Sequence, residues 1–110
     1  MKLPNAENAV VDIAKLRDYC LNPDHPRGKH KARVFAAALG LTANNAEELQ
    51  DALLQAAEEE DATEADQDEF GQRYVIEFTM EGPTGTGRVL ASWIVRSDED
   101  FPRLTSCYVV

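Results

Sequence analysis

The hydrophobic pattern of this chain changes period once, at Gly71, and that change limits the folds open to it. Before Gly71 apolar residues recur every three or four positions, the spacing of one helical face. After it they alternate, the spacing of one face of a strand. Helices followed by strands predict an α+β fold with an antiparallel sheet rather than alternating βαβ units.

Ile13, Leu16 and Cys20, with Ala9 in line, form one stripe over a first helix from about Asp12 to Leu21, which Asp12 can cap. Asn22-Pro23-Asp24-His25-Pro26-Arg27-Gly28 stops it. A second helix spans about Lys29 to Leu39, with Ala32, Val34, Phe35, Ala38 and Leu39 on its buried side and Gly40 as a left-handed terminator. A third follows Asn44-Asn45, where Asn45 and Glu48 have the spacing of a capping box. Ala46, Leu49, Leu53 and Ala56 or Ala57 form its stripe. Residues 58–71 are polar, acidic and without period, which predicts a linker. Tyr74, Ile76, Phe78 and Met80 then mark a half-buried strand. Residues 89–96 mark one covered on both faces, and Arg103 to Val109 a last one. A short extra strand at Ala9-Val10-Val11 would make four. The expected whole is one domain over residues 1–110: a helical part (1–57), a linker (58–71) and a sheet (72–110). Three N-terminal helices would pack on one face of an antiparallel sheet of three or four strands.

The net charge of −9 is unevenly spread. Residues 1–40 hold seven Lys and Arg against four acids, residues 41–70 hold eleven acids and no base, and residues 71–110 hold four bases and five acids. Global acidity argues against non-specific nucleic-acid binding but leaves room for a local anion site. No apolar run is long enough to span a bilayer, and the first residues lack the apolar core of a signal peptide, so a cytoplasmic location is expected. Cys20 and Cys107, far apart and outside any CxxC pattern, are expected to be reduced and packed.

The most suggestive chemistry is Arg27-Gly28-Lys29-His30-Lys31 with Arg33 at the opening of the second helix. Cations there have the wrong sign for the helix dipole, and a docked phosphate would resolve the conflict. The alternative is exposed pairing with the acidic third helix and linker or with solvent. His25, in the rigid turn just before, is a candidate general base or acid, with a locally bonded turn residue as the alternative. Thr105 is expected to share a strand face with Arg103 and Cys107, and Ser106 with Leu104 and Tyr108. Such hydroxyls, with Arg88, Arg96 and Arg103 at strand ends, could line a phosphodiester cleft. Gly82-Pro83-Thr84-Gly85-Thr86-Gly87 lacks the Lys-Ser/Thr ending of a phosphate loop and reads as a hairpin. The acids at 66–69 lack the glycine of a calcium loop, and the cysteines and histidines lack zinc spacing, so neither metal nor cofactor is expected.

Lys15-Leu16-Arg17-Asp18-Tyr19, the Asn22-Pro23-Asp24-His25-Pro26-Arg27-Gly28-Lys29-His30-Lys31-Ala32 stretch, Phe35, Leu39 and Gly40, then Tyr74, Trp93 and Pro102-Arg103-Leu104-Thr105, resemble a bacterial and phage domain of unknown function. That domain occurs alone in cyanobacteria and at the C-termini of phage head and polymorphic-toxin proteins. It looks like the barnase, EndoU, colicin D and RelE-like ribonuclease superfamily. The resemblance implies metal-independent RNA cleavage restrained by a small co-encoded antitoxin or immunity protein. It implies catalytic roles for His25, Lys29, Lys31 and Thr105; Arg27, Gly28, His30, Arg33 and Arg88 complete the expected phosphate-binding set. The competing expectation is a non-enzymatic interaction module built on the acidic third helix. The oligomeric state is left open.

Overall fold

The computed structural model describes every residue from Met1 to Val110. A short 3-10 turn (Ala6–Asn8) leads to α1 (Ile13–Lys15), which runs on as a π-helical turn over Leu16–Cys20. Then come α2 (Lys29–Leu39), a 3-10 turn (Ala43–Asn45), α3 (Ala46–Glu59) and four strands: β1 (Thr63–Asp68), β2 (Gly71–Glu81), β3 (Thr86–Arg96) and β4 (Pro102–Val109). The strands form an antiparallel meander in the order β1-β2-β3-β4.

The helix boundaries follow from local chemistry. Asp12 Oδ1 accepts from the Ala14 amide at 2.9 Å, as its place before α1 predicts. The π turn is closed by Leu21 N–H donating to Leu16 O at 2.8 Å, a wider winding than the sequence pattern indicates. Gly40 takes φ +72°, so its own amide reaches Ala36 O and that of Leu41 reaches Phe35 O, ending α2 as expected. The cap of α3 differs from expectation. Asn45 turns its carboxamide back onto the Thr42 amide (2.9 Å), so the reciprocal cap lies one 3-10 turn before α3 and does not involve Glu48. Val34, expected in the core, is 44% exposed, while Ala32, Phe35 and Leu39 are buried.

The expected acidic linker is largely structured. α3 continues to Glu59, and Thr63–Asp68 pairs with β2 through Thr63↔Val75, Glu64↔Tyr74, Gln67↔Gln72 and Asp68↔Gly71. All six residues of β1 are exposed, so backbone hydrogen bonds hold it without any burial for the sequence to display. The expected extra strand at the N-terminus reduces to one parallel bridge. Val10 N–H donates to Pro102 O, and Leu104 N–H donates to Val10 O.

One core holds the layers together. Leu16, Cys20, Leu21, Phe35, Leu39, Leu49 and Leu53 from the helical part join Tyr74, Ile76, Phe78, Val89, Ala91, Trp93, Leu104 and Cys107 from the sheet in a single hydrophobic cluster. Fully burying each large apolar side chain contributes about 1.5–3 kcal/mol. The last strand departs from strict alternation. Ser92 faces Ser106 but Trp93 faces Leu104, which leaves Thr105 as an extra residue in a β-bulge. The bulge resets side-chain parity, so Leu104 and Cys107, three apart, are both buried, and the expected grouping of Thr105 with Cys107 does not hold.

Candidate functional site

The turn between α1 and α2 is built by side chains imitating backbone. Asn22 Oδ1 accepts from Asp24 N–H at 2.9 Å. His25 Nδ1 accepts from the amides of Arg27 and Gly28, each at 3.0 Å, and His25 O accepts from Lys29 N–H at 3.0 Å. His25 therefore serves the opening of α2 as an N-cap oxygen would. Gly28 is required by space: a Cβ there would lie 2.5 Å from the Tyr19 carbonyl oxygen, so only glycine lets the turn close on the end of the π-helical segment. The His25 ring meets Tyr19 edge-on, with centroids 4.6 Å apart.

This geometry fixes what His25 can do. With Nδ1 spent on two amides, the neutral ring carries its proton on Nε2, which has no protein partner. Nε2 is therefore a hydrogen-bond donor. A general-base role would need the opposite tautomer and the loss of both amide bonds.

Facing this turn is an open cleft of about 560 Å³, lined by Asp12, Ala14, Lys15, Asp18, Tyr19, His25, Thr105 and Ser106. Lys15 Nζ donates to Thr105 O at 3.1 Å, and Thr105 Oγ1 donates to Ser92 O at 3.0 Å, so the bulge is held from both sides. Lys31 reaches across from α2 to Ser106 Oγ at 3.5 Å. Its ammonium lies 5.9 Å from the Tyr19 ring centroid and 5.4 Å from that of Tyr108. Asp12 is engaged in capping α1, and Asp18 leans on Arg17 at 3.4 Å.

Of the residues expected at the site, the fold gathers His25, Lys31 and Thr105 around the cleft, while Gly28 is buried against the Tyr19 backbone. Arg27, His30 and Arg33 are exposed and Lys29 is half-buried. None of these four, nor Lys31, pairs with a carboxylate; the ion pairs of the chain lie elsewhere, so these cations do not pair with α3 or β1, and Arg27, His30 and Arg33 face solvent. Arg88 is separate. It binds Glu77 Oε2 at 3.0 Å and Thr79 Oγ1 at 2.9 Å across the β2–β3 pair. Arg103 is likewise committed, through two bonds to Glu99 at 2.8 and 2.9 Å. The glycine-containing segment at 82–87 is the β2–β3 hairpin loop, tied to α2 by Thr84 N–H donating to Leu39 O. The cleft adds Lys15, Tyr19 and Ser106. Lys15 and Tyr19 share a helical face by their four-residue spacing, a signal present in the sequence.

Comparison with known proteins supplies two findings. The family model described as "Domain of unknown function (DUF6883)" matches residues 2–110. Among solved structures, a chain of a contact-dependent growth inhibition toxin–immunity protein complex from Klebsiella pneumoniae 342 superposes with a TM-score of 0.69 at 18% identity. The match covers 94% of this chain and 95% of that one. At that identity the likeness is one of fold. No curated protein matches the sequence.

Proposed function

Since the chain belongs to this family of domains of unknown function, its activity must be argued from the cleft, and we propose that it is a toxin-like domain that cleaves RNA without a metal and is restrained by a small partner protein. The observation that carries this reading is the convergence of Lys15, Lys31, Thr105, Ser106 and His25 on one cleft whose lysines face no carboxylate partner. The fold likeness to a chain from a toxin–immunity complex supports the partner.

Lys15 and Lys31 offset the charge of a phosphodiester, most strongly as its non-bridging oxygens gain charge in the transition state. His25 donates from Nε2 to one of those oxygens, held in that tautomer by the two amides behind it. Ser106 and the bulged Thr105 add hydroxyls, while Arg27, Lys29, His30 and Arg33 attract the flanking strand. The 2′-hydroxyl gives its proton to Asp18, the cleft acid not spent on a backbone cap, as its oxygen bonds to phosphorus and the P–O5′ bond breaks; solvent water protonates the departing 5′-oxygen, leaving a 2′,3′-cyclic phosphate. Arg88 takes no part.

The test is incubation of the partner-free protein with tRNA, rRNA and mRNA in the presence of a chelator. The wild type should cleave at least one. A Lys15→Ala/Lys31→Ala variant should lose roughly 100-fold or more, the scale of removing positioned charge stabilisation. Arg88→Ala should cut like the wild type. Intact RNA after wild-type treatment refutes the reading.

The net charge of −9 and the exposed Glu58, Glu59 and Glu60 favour a second one: a non-enzymatic module that meets a basic partner through the end of α3. The fold likeness suits either member of a toxin–immunity pair. Under that reading charge reversal at those three residues abolishes partner binding, and changes at Lys15 and Lys31 do nothing.

A further inference from the structure

Beneath the cleft two thiols that the proposed chemistry does not use come together from opposite ends of the chain. Cys20 closes the π-helical turn and Cys107 lies opposite Ala91 in β4, both fully buried and both unpaired. Both belong to the one hydrophobic core cluster, where the π-helical turn packs directly on β4. Lys31 lies against Tyr19, which precedes Cys20, and against Ser106 and Tyr108, which flank Cys107. We infer that Cys20 and Cys107 are a modification site: a low-molecular-weight disulfide such as glutathione disulfide oxidises them to an intramolecular disulfide that ties the π turn to β4 under the floor of the cleft. This inference stands apart from RNA cleavage and survives its failure.

The pair is chemically asymmetric in the way stepwise exchange requires. The Cys107 thiol faces the Cys20 sulfur and, with the Cys107 amide and the Lys31 and Lys15 ammonium groups, outweighs burial and lowers the Cys20 thiol to about 7. Cys107, hydrogen-bonded to Cys20 and buried, is pushed well up. Cys20 is thus the attacking thiolate. It displaces one glutathione thiolate and forms a mixed disulfide. Cys107 then gives up its proton, attacks the Cys20 sulfur and releases the second glutathione. Two protein thiols are oxidised and one disulfide is reduced to two thiols. Burial makes local opening of the wide, unevenly wound π turn the point of entry.

The experiment is incubation of the folded, reduced protein with glutathione disulfide, alone and in urea below the unfolding midpoint, followed by denaturing alkylation, intact mass and peptide mapping. The expected product is a monomer lighter by two hydrogens, with Cys20 and Cys107 in one linked peptide pair. Its formation quickens as pH rises through about 7. Its thermal midpoint rises on the order of 10 °C because the bridge spans most of the chain, and reductant reverses the rise. Thiols that stay alkylatable in both conditions, a stable single glutathione adduct, or a disulfide-linked dimer would each overturn the inference.

Discussion

Replacing His25 separates its structural task from any chemical one, because the two substitutions His25→Ala and His25→Asn remove different things. Alanine takes away the acceptor for both the Arg27 and Gly28 amides. The Arg27 amide is exposed and water replaces the lost partner, whereas the Gly28 amide is partly buried and pays more of its desolvation cost. Loss of a side-chain cap costs typically about 1 kcal/mol, and the partly buried amide moves the expectation to about 1.5 kcal/mol. At about 4 °C per kcal/mol for a domain of this size, the thermal midpoint falls by about 6 °C. Asparagine keeps a short acceptor in a geometry this chain already uses at Asn22, so it retains most of the cap and costs only a few tenths of a kcal/mol from that source. Both variants lose the edge contact with Tyr19, so their difference isolates the cap. Urea denaturation at constant m-value reads that difference as a shift in midpoint. If the two variants unfold together, His25 does not cap α2 and the tautomer assigned to it loses its basis. If RNA cleavage is lost in His25→Asn while stability is kept, the Nε2 proton is the chemical contribution of this residue.

Gly28→Ala should destabilise by about 1–3 kcal/mol, since its methyl collides with a backbone oxygen that cannot swing away; unchanged thermal unfolding would contradict the close approach of Tyr19. The Glu99–Arg103 pair makes a pH-dependent contribution. The Arg103 hydrogen bond holds the Glu99 carboxyl below its ordinary value. Stability from the pair is therefore present above the usual carboxylate range and lost as pH falls through the lowered value of the folded state. The thermal-midpoint gap between wild type and Arg103→Gln should narrow on acidification across that range and also with added salt. A gap that widens toward low pH would overturn the assignment.

Much of the architecture was legible where burial and period coincide. Ile76, Phe78, Val89, Ala91 and Trp93 alternate because one side of their strands is in the core, and Gly40 marks its left-handed turn directly. β1 was not legible for the converse reason: six exposed residues carry no apolar alternation, and a strand held by backbone bonds alone looks like a linker. The bulge at Thr105 was hidden because one extra residue in a pairing register leaves no compositional trace. The site was half legible. The His-Pro turn and Lys31 stand out in the sequence, but Lys15 and Thr105 are ninety positions apart and meet only once β4 closes the sheet. His25 misled through its chemistry. The residue type suggests proton transfer, and only the positions of the Arg27 and Gly28 amides reveal an acceptor at Nδ1.

The exposed first strand has a consequence for how copies of this protein coexist. An edge strand offers a row of unsatisfied amides and carbonyls on which a neighbour's strand can template. Here that row is guarded by Glu64, Asp66 and Asp68 and broken by an irregularity between Glu64 and Gln67. Like charges facing across two such edges repel, so carboxylates that contribute nothing to the core hold copies of the folded chain apart, and added salt weakens that guard.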